Sequence, residues 1–142
     1  MFSFKKSYIC GFYSYINWGM EDWQRDFEWL RVRSIVKDAL KRESLPDFQA
    51  VLFLIGVQEL GRIPQKRFTK EEKTDLMHIA VCTLLEMKGY FEFAGRDQDG
   101  WPHWNEIKSF DIKGEKEQEV YLTALIIEYF KKYNEITPFE SD

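Results

Sequence analysis

Residues 50–57, AVLFLIGV, carry no polar side chain. At about 100° per residue eight consecutive positions cover the whole circumference of a helix, and a helix apolar all round must be buried on every side. The ends of this stretch are well signalled. Ser44 can cap the N-terminus, Pro46 sits where no N–H is needed, and Asp47 falls in the first turn, where an anion is favoured. Gly61 suits the left-handed position just past the last turn, and Pro64 prevents continuation. The reading is a central core helix of about 16 residues, shorter than the roughly 20 apolar residues of a membrane span. A short buried strand within 51–57 also fits the Val and Ile content, but the caps favour the helix. The rest of the chain must supply its cover.

A first helix is expected over about Met20–Lys41, opened by Asn17 or by the acidic pair Glu21–Asp22. Its apolar residues divide between two faces. Trp29, Val32, Val36, Ala39 and Leu40 form one, while Trp23, Phe27 and Leu30 form nearly the opposite one. Arg25, Arg31, Arg33, Lys37 and Lys41 are interleaved with Asp26, Glu28 and Asp38, a mixture that reads as an ion-paired, solvated surface. The second apolar face needs cover from the N-terminal segment or from another chain.

A third helix begins at the capping box Thr69–Glu72 and ends at Gly89, with Leu76, Ala80, Leu84 and Met87 as its core stripe. A β-hairpin is expected over 90–107, because Tyr90–Phe93 alternates, Asp99–Gly100 is a turn signal and Pro102 marks an edge strand. A fourth helix covers about 115–134, with Leu122, Ile126, Tyr129, Phe130 and Tyr133 on one arc, and Thr137–Pro138 stops it. The fold class is therefore mainly α with a small β part: about four helices packed around a buried central helix, plus a hairpin between helices three and four. That element order is also the order of a winged helix. One domain over 20–136 is expected, preceded by an aromatic extension at 1–19 and followed by a mobile tail at 137–142.

The extension MFSFKKSYICGFYSYINWG has no acid and only Lys5 and Lys6 as charges. Ser14 and Asn17 interrupt its apolar stretch and no small-x-small cleavage site follows, which argues against a signal peptide. Ile9 is too large to precede a lipidated Cys10. Phe2, Phe4, Lys6 and Tyr8 alternate as in a strand added to a sheet edge, and Met20 is an alternative start.

A net charge of −4 and a pI of about 5.3 leave no global basic field to steer the chain to nucleic acid or anionic lipid. Cys10 and Cys82 are far apart with no C-x-x-C, as suits reduced thiols in a cytoplasm. Dinucleotide, P-loop, zinc-protease and serine-hydrolase signatures do not occur.

The constellation with most chemical content lies on helix three. Glu71, Asp75, His78, Cys82 and Glu86 share an arc of about 80° opposite the core stripe. His78 and Cys82, four apart, could hold one metal ion with Asp75, completed by His103 or Glu59 from elsewhere. His78 oriented by Asp75 could equally be a general base. The plainer reading is the solvated face of an amphipathic helix. On the hairpin, Asp97, Asp99, Gly100 and Glu106 fall at calcium-loop spacing, but Gly95 stands at the first ligand position and the flanks are strand-like, so a tight turn fits better. Trp101 and His103 could form a binding platform; alternation places either Trp101 or Trp104 in the core, not both. As for DNA, helix three displays Glu71, Glu72, Asp75 and Glu86, which would repel phosphate.

The blocks LPDFQAVLFLIGVQELG (45–61) and FTKEEKTDLMHIAVCTLLEMKGYFEFAGRDQDGWPHW (68–104) resemble a family of small, uncharacterised bacterial proteins. The resemblance spans Glu21 to Trp104. It implies a start near Met20 and brings no activity, cofactor or catalytic residue with it. The functional expectation is thus a non-catalytic protein-interaction or accessory module of the bacterial cytoplasm, with a protein partner or a homo-oligomer, no cofactor, no nucleic acid and no membrane. Trp23, Phe27, Leu30, Trp101 and His103 are the interface candidates. The alternatives are an enzyme built on Asp75, His78 and Cys82, and a winged-helix-like DNA binder.

Overall fold

A computed structural model describes residues 22–61 and 67–136. Within them run helix α1 (Asp22–Leu40), helix α2 (Phe48–Leu60), helix α3 (Lys70–Glu86), strands β1 (Phe91–Arg96) and β2 (Pro102–Glu106), and helix α4 (Glu115–Ile136). The chain is mainly helical, with an antiparallel hairpin between the third and fourth helices. The readings for residues 1–19, the start at Met20, the helix opening at Asn17 or Glu21, the stop at Pro64, the stop at Thr137–Pro138 and the tail at 137–142 lie outside the described residues.

The apolar run is α2. Its N-cap is Asp47 rather than Ser44: the Asp47 carboxylate accepts from the Ala50 amide at 2.9 Å, and its own backbone is extended. Pro46 lies outside the helix and is buried, and its carbonyl accepts from Arg33 Nε of α1 at 2.7 Å. That tie explains why the helix opens three residues later than Ser44 would allow. Gly61 takes the left-handed conformation at φ 86° and donates to the Val57 carbonyl. At the end of α1 the same conformation falls on a non-glycine, Lys41, at φ 54°.

The capping box of α3 forms as read: Thr69 Oγ1 accepts from the Glu72 amide and Glu72 from the Thr69 amide. Its buried set is broader than the expected stripe, adding Ile79, Cys82 and Leu85 to Leu76, Ala80 and Leu84. The reason is that α3 packs against α2 on one side, α4 on another, and both strands on a third. Against α2 the approach is close at Gly56, where a Cβ would collide with the Leu76 carbonyl.

One large core joins Val32 and Val36 of α1, Val51, Leu52 and Ile55 of α2, Ala80, Leu84 and Leu85 of α3, and Tyr121, Leu122, Leu125, Ile126 and Ile127 of α4. A smaller one, Leu60, Leu76 and Ile79, is covered by Phe53, Phe68, Trp101 and Trp104. Both tryptophans therefore pack inward, against the expectation of one. Trp101 precedes β2, in the turn, so strand alternation does not govern it.

Arg96, at the end of β1, reaches back to the last turn of α2. Its guanidinium donates to the carbonyls of Glu59 (2.7 Å), Leu60 (3.0 Å) and Gly100 (2.8 Å). A cation on the carbonyl end of a helix satisfies acceptors that the helix itself leaves open. The Glu59 carboxylate in turn accepts from Tyr129 Oη of α4 at 2.7 Å. An aromatic sequence, Tyr90 to Phe110 (5.4 Å) and Phe110 to Tyr121 (5.5 Å), joins the hairpin's flanks to α4.

Candidate functional site

The α3 constellation does not assemble as the spacing suggests. Asp75 and His78 are exposed, but Cys82 is only 2 % exposed, so it is not part of a solvated face. It lies on the ridge Ile79–Cys82–Leu85, all three of them buried. Its Sγ is 3.6 Å from His78 Nε2. Burial pushes the thiol up to about 11, and the Glu86 carboxylate adds to the shift. A neutral thiol at neutral pH is neither a good nucleophile nor a ready metal ligand. Glu86, the last member of the arc, accepts from Trp104 Nε1 at 2.8 Å and so fastens β2 to α3. Among the described residues no three His, Cys, Asp or Glu side chains are grouped so as to hold a metal ion. Glu59 is engaged by Tyr129, and His103 by the hairpin tip.

At that tip, Asp97 organises the turn. One carboxylate oxygen accepts from the amides of Asp99 (2.9 Å) and Trp101 (3.0 Å), and the other lies 2.9 Å from His103 Nε2. The His103 hydrogen bond, helped by the Trp101 and Asp99 amides, holds the Asp97 carboxyl below the usual carboxylate range. The Asp97 oxygens are thus spent inside the turn, and Glu106 belongs to β2, where it pairs with Phe91. Of the two hairpin interface candidates, Trp101 is half-buried against the small core while His103 remains exposed.

An open concavity of about 410 Å³ separates the N-terminal ends of α2 and α4. Asp47, Glu115 and Glu119 face it, with Gln49 and Gln118 and without a histidine, cysteine or base. Asp47 is already the α2 cap, so this hollow holds carboxylates without a cationic side chain to oppose them.

The outer face of α1 is different in kind. Trp23, Phe27 and Leu30 are 67 %, 58 % and 45 % exposed, and stand at i, i+4 and i+7 on the side opposite Val32 and Val36. Phe93 and Ile107 on the hairpin are exposed too, 46 % and 56 %. Alternation could have found Phe93, which pairs with Trp104 on one face of the hairpin, their rings 5.7 Å apart. The α1 stripe, two large rings and a leucine along one helix, holds the more exposed rings, and ion pairs flank it: Arg25 to Asp22 at 2.7 Å and Arg31 to Glu28 at 3.3 Å.

No family model matches this chain, no curated protein is similar to it, and no solved structure matches it. Among the described residues no helix is long and apolar enough to cross a membrane.

Proposed function

We propose that this chain is a non-catalytic protein-interaction or accessory module of the bacterial cytoplasm, docking through the outer face of α1. The observation that carries the reading is the exposure of Trp23, Phe27 and Leu30 along one line of a helix whose opposite side is already in the core. A single exposed aromatic needs no explanation. Two large rings and a leucine in register, rimmed by charges, have the composition of an interface centre with a polar rim.

The test is capture of a stoichiometric partner by the tagged chain at moderate salt, repeated with Phe27→Glu and with His78→Ala. The expected result is loss of the partner with Phe27→Glu and its retention with His78→Ala. Retention with both substitutions would remove the α1 face from the account.

The second reading is an enzyme using His78 and Cys82, favoured by the 3.6 Å approach of their side chains. Burial of Cys82 and the raised thiol count against it. It predicts the reverse pattern, with His78→Ala abolishing the biological role.

A further inference from the structure

The charges on the two edges of the α1 stripe complement one another between two copies, while Lys37, at the d position after Leu30, meets its own copy past the apolar stretch. On a heptad, Trp23 and Leu30 take the d positions and Phe27 the intervening a. Asp26 and Arg33 then follow one edge of the stripe as g residues, and Arg31 and Asp38 follow the other as e residues. Asp26, Arg31 and Asp38 are exposed; Arg33 is half-buried with its Nε on the Pro46 carbonyl, which leaves its outer nitrogens to pair across, and Arg31 exchanges Glu28 of its own helix for the new contact. In a parallel pair of helices, each g residue faces the e residue five positions on in the other helix. Asp26 of one copy then meets Arg31 of the other, and Arg33 meets Asp38. Two-fold symmetry repeats both contacts, so every flanking pair joins opposite signs. An antiparallel pair does less well, since it sets Asp26 against Arg33 but leaves Arg31 facing Gln24. A strongly acidic or basic partner finds no single sign on these edges, because two acids stand among two bases.

We infer that the occupant of this face is a second copy of the chain, seated as a parallel, two-fold pair of α1 helices. This rests on the reading of α1 as an interaction surface and names its partner. Trp23, Phe27 and Leu30 each meet their own copy across the axis, and the four flanking ion pairs set direction and register. Three side chains per copy fall short of the roughly 800 Å² per partner of a stable interface, so the pair is weak and forms in the micromolar range or above.

Sedimentation of the full chain over a concentration series tests it, with Phe27→Glu, Asp26→Arg, Arg31→Asp and the double variant Asp26→Arg/Arg31→Asp. The expected result is a monomer–dimer equilibrium, lost with Phe27→Glu. Each single charge reversal weakens it about tenfold, because two exposed attractions become repulsions, and the double variant recovers it. A chain that stays monomeric at every concentration overturns the inference, as does a dimer indifferent to Phe27→Glu or a double variant as weak as the singles. Circular dichroism checks that Phe27→Glu folds; if it does not, the charge series carries the test alone. Should the chain be monomeric while Phe27→Glu still releases a different stoichiometric protein, this inference falls and the interaction reading stands.

Discussion

Gly56 of α2 lies against the backbone of Leu76 in α3, so near that a Cβ on residue 56 would stand 2.7 Å from the Leu76 carbonyl carbon. The two helices pack at a distance that only a hydrogen side chain permits. Gly56→Ala gains up to about 1 kcal/mol in helix propensity, yet must push two backbones apart in the middle of the core. Overpacking of this sort costs about 1–3 kcal/mol and sometimes more. A net loss of about 2 kcal/mol in urea unfolding is expected; unchanged stability would mean that α2 and α3 separate easily.

Lys41 ends α1 in the left-handed region at φ 54°. Its position lets the Arg42 amide reach the Lys37 carbonyl at 3.0 Å, closing the last turn. A side chain in that conformation is strained, and glycine relieves the strain. Lys41→Gly is expected to stabilise the fold by about 0.5–1 kcal/mol, read as a raised midpoint in thermal or urea unfolding. A fall would show that the lysine side chain contributes more than its backbone costs.

Arg96→Ala leaves the carbonyls of Glu59 and Leu60 without the guanidinium that they share. Arg96 is itself exposed, so water replaces part of what is lost. A cost of about 1–2 kcal/mol is expected, with faster hydrogen exchange in β1, β2 and the last turn of α2. Arg96→Lys should recover less than half, since an ammonium cannot span three acceptors as a planar fork does.

Cys82 shifts upward from an ordinary thiol value of 9.0 to about 11. Between those values the folded chain keeps a proton that the unfolded chain releases. The stability from this group is therefore complete below about pH 9 and declines as pH rises toward about 11. Tyr121, also raised by burial, adds a loss of the same sign at higher pH. Cys82→Ala should flatten the first part of the decline in a pH series of unfolding midpoints. At neutral pH, alkylation of Cys82, mapped by mass spectrometry to separate it from Cys10, should be slow until the chain unfolds.

The architecture was legible wherever the local code was unambiguous. The run 50–57, the box Thr69–Glu72, Gly61 and the Asp99–Gly100 turn each have one economical solution, and the chain adopts it. The two-faced character of α1 was legible too, because period 3.6 alone separates Trp23, Phe27 and Leu30 from Val32 and Val36. What escaped was set by neighbours distant in sequence. Cys82 looks solvent-facing when α3 is taken alone, yet it is buried in a helix against which α2, α4 and the hairpin all pack. Trp101 escaped for a related reason: it belongs to the turn, and its ring goes where Leu60, Leu76 and Ile79 leave room. The role of Arg96 escaped as well, because nothing local shows that its side chain reaches carbonyls 36 and 37 positions earlier.

Glu59 is gripped from two directions, its carbonyl by Arg96 and its carboxylate by Tyr129. One residue thus transmits load between a hairpin and a C-terminal helix that the chain forms separately. A tug on either grip is felt at the other through a single rigid turn of α2. Removing Arg96 and Tyr129 together should cost less than the sum of removing each, because the first cut already slackens the joint on which the second acts.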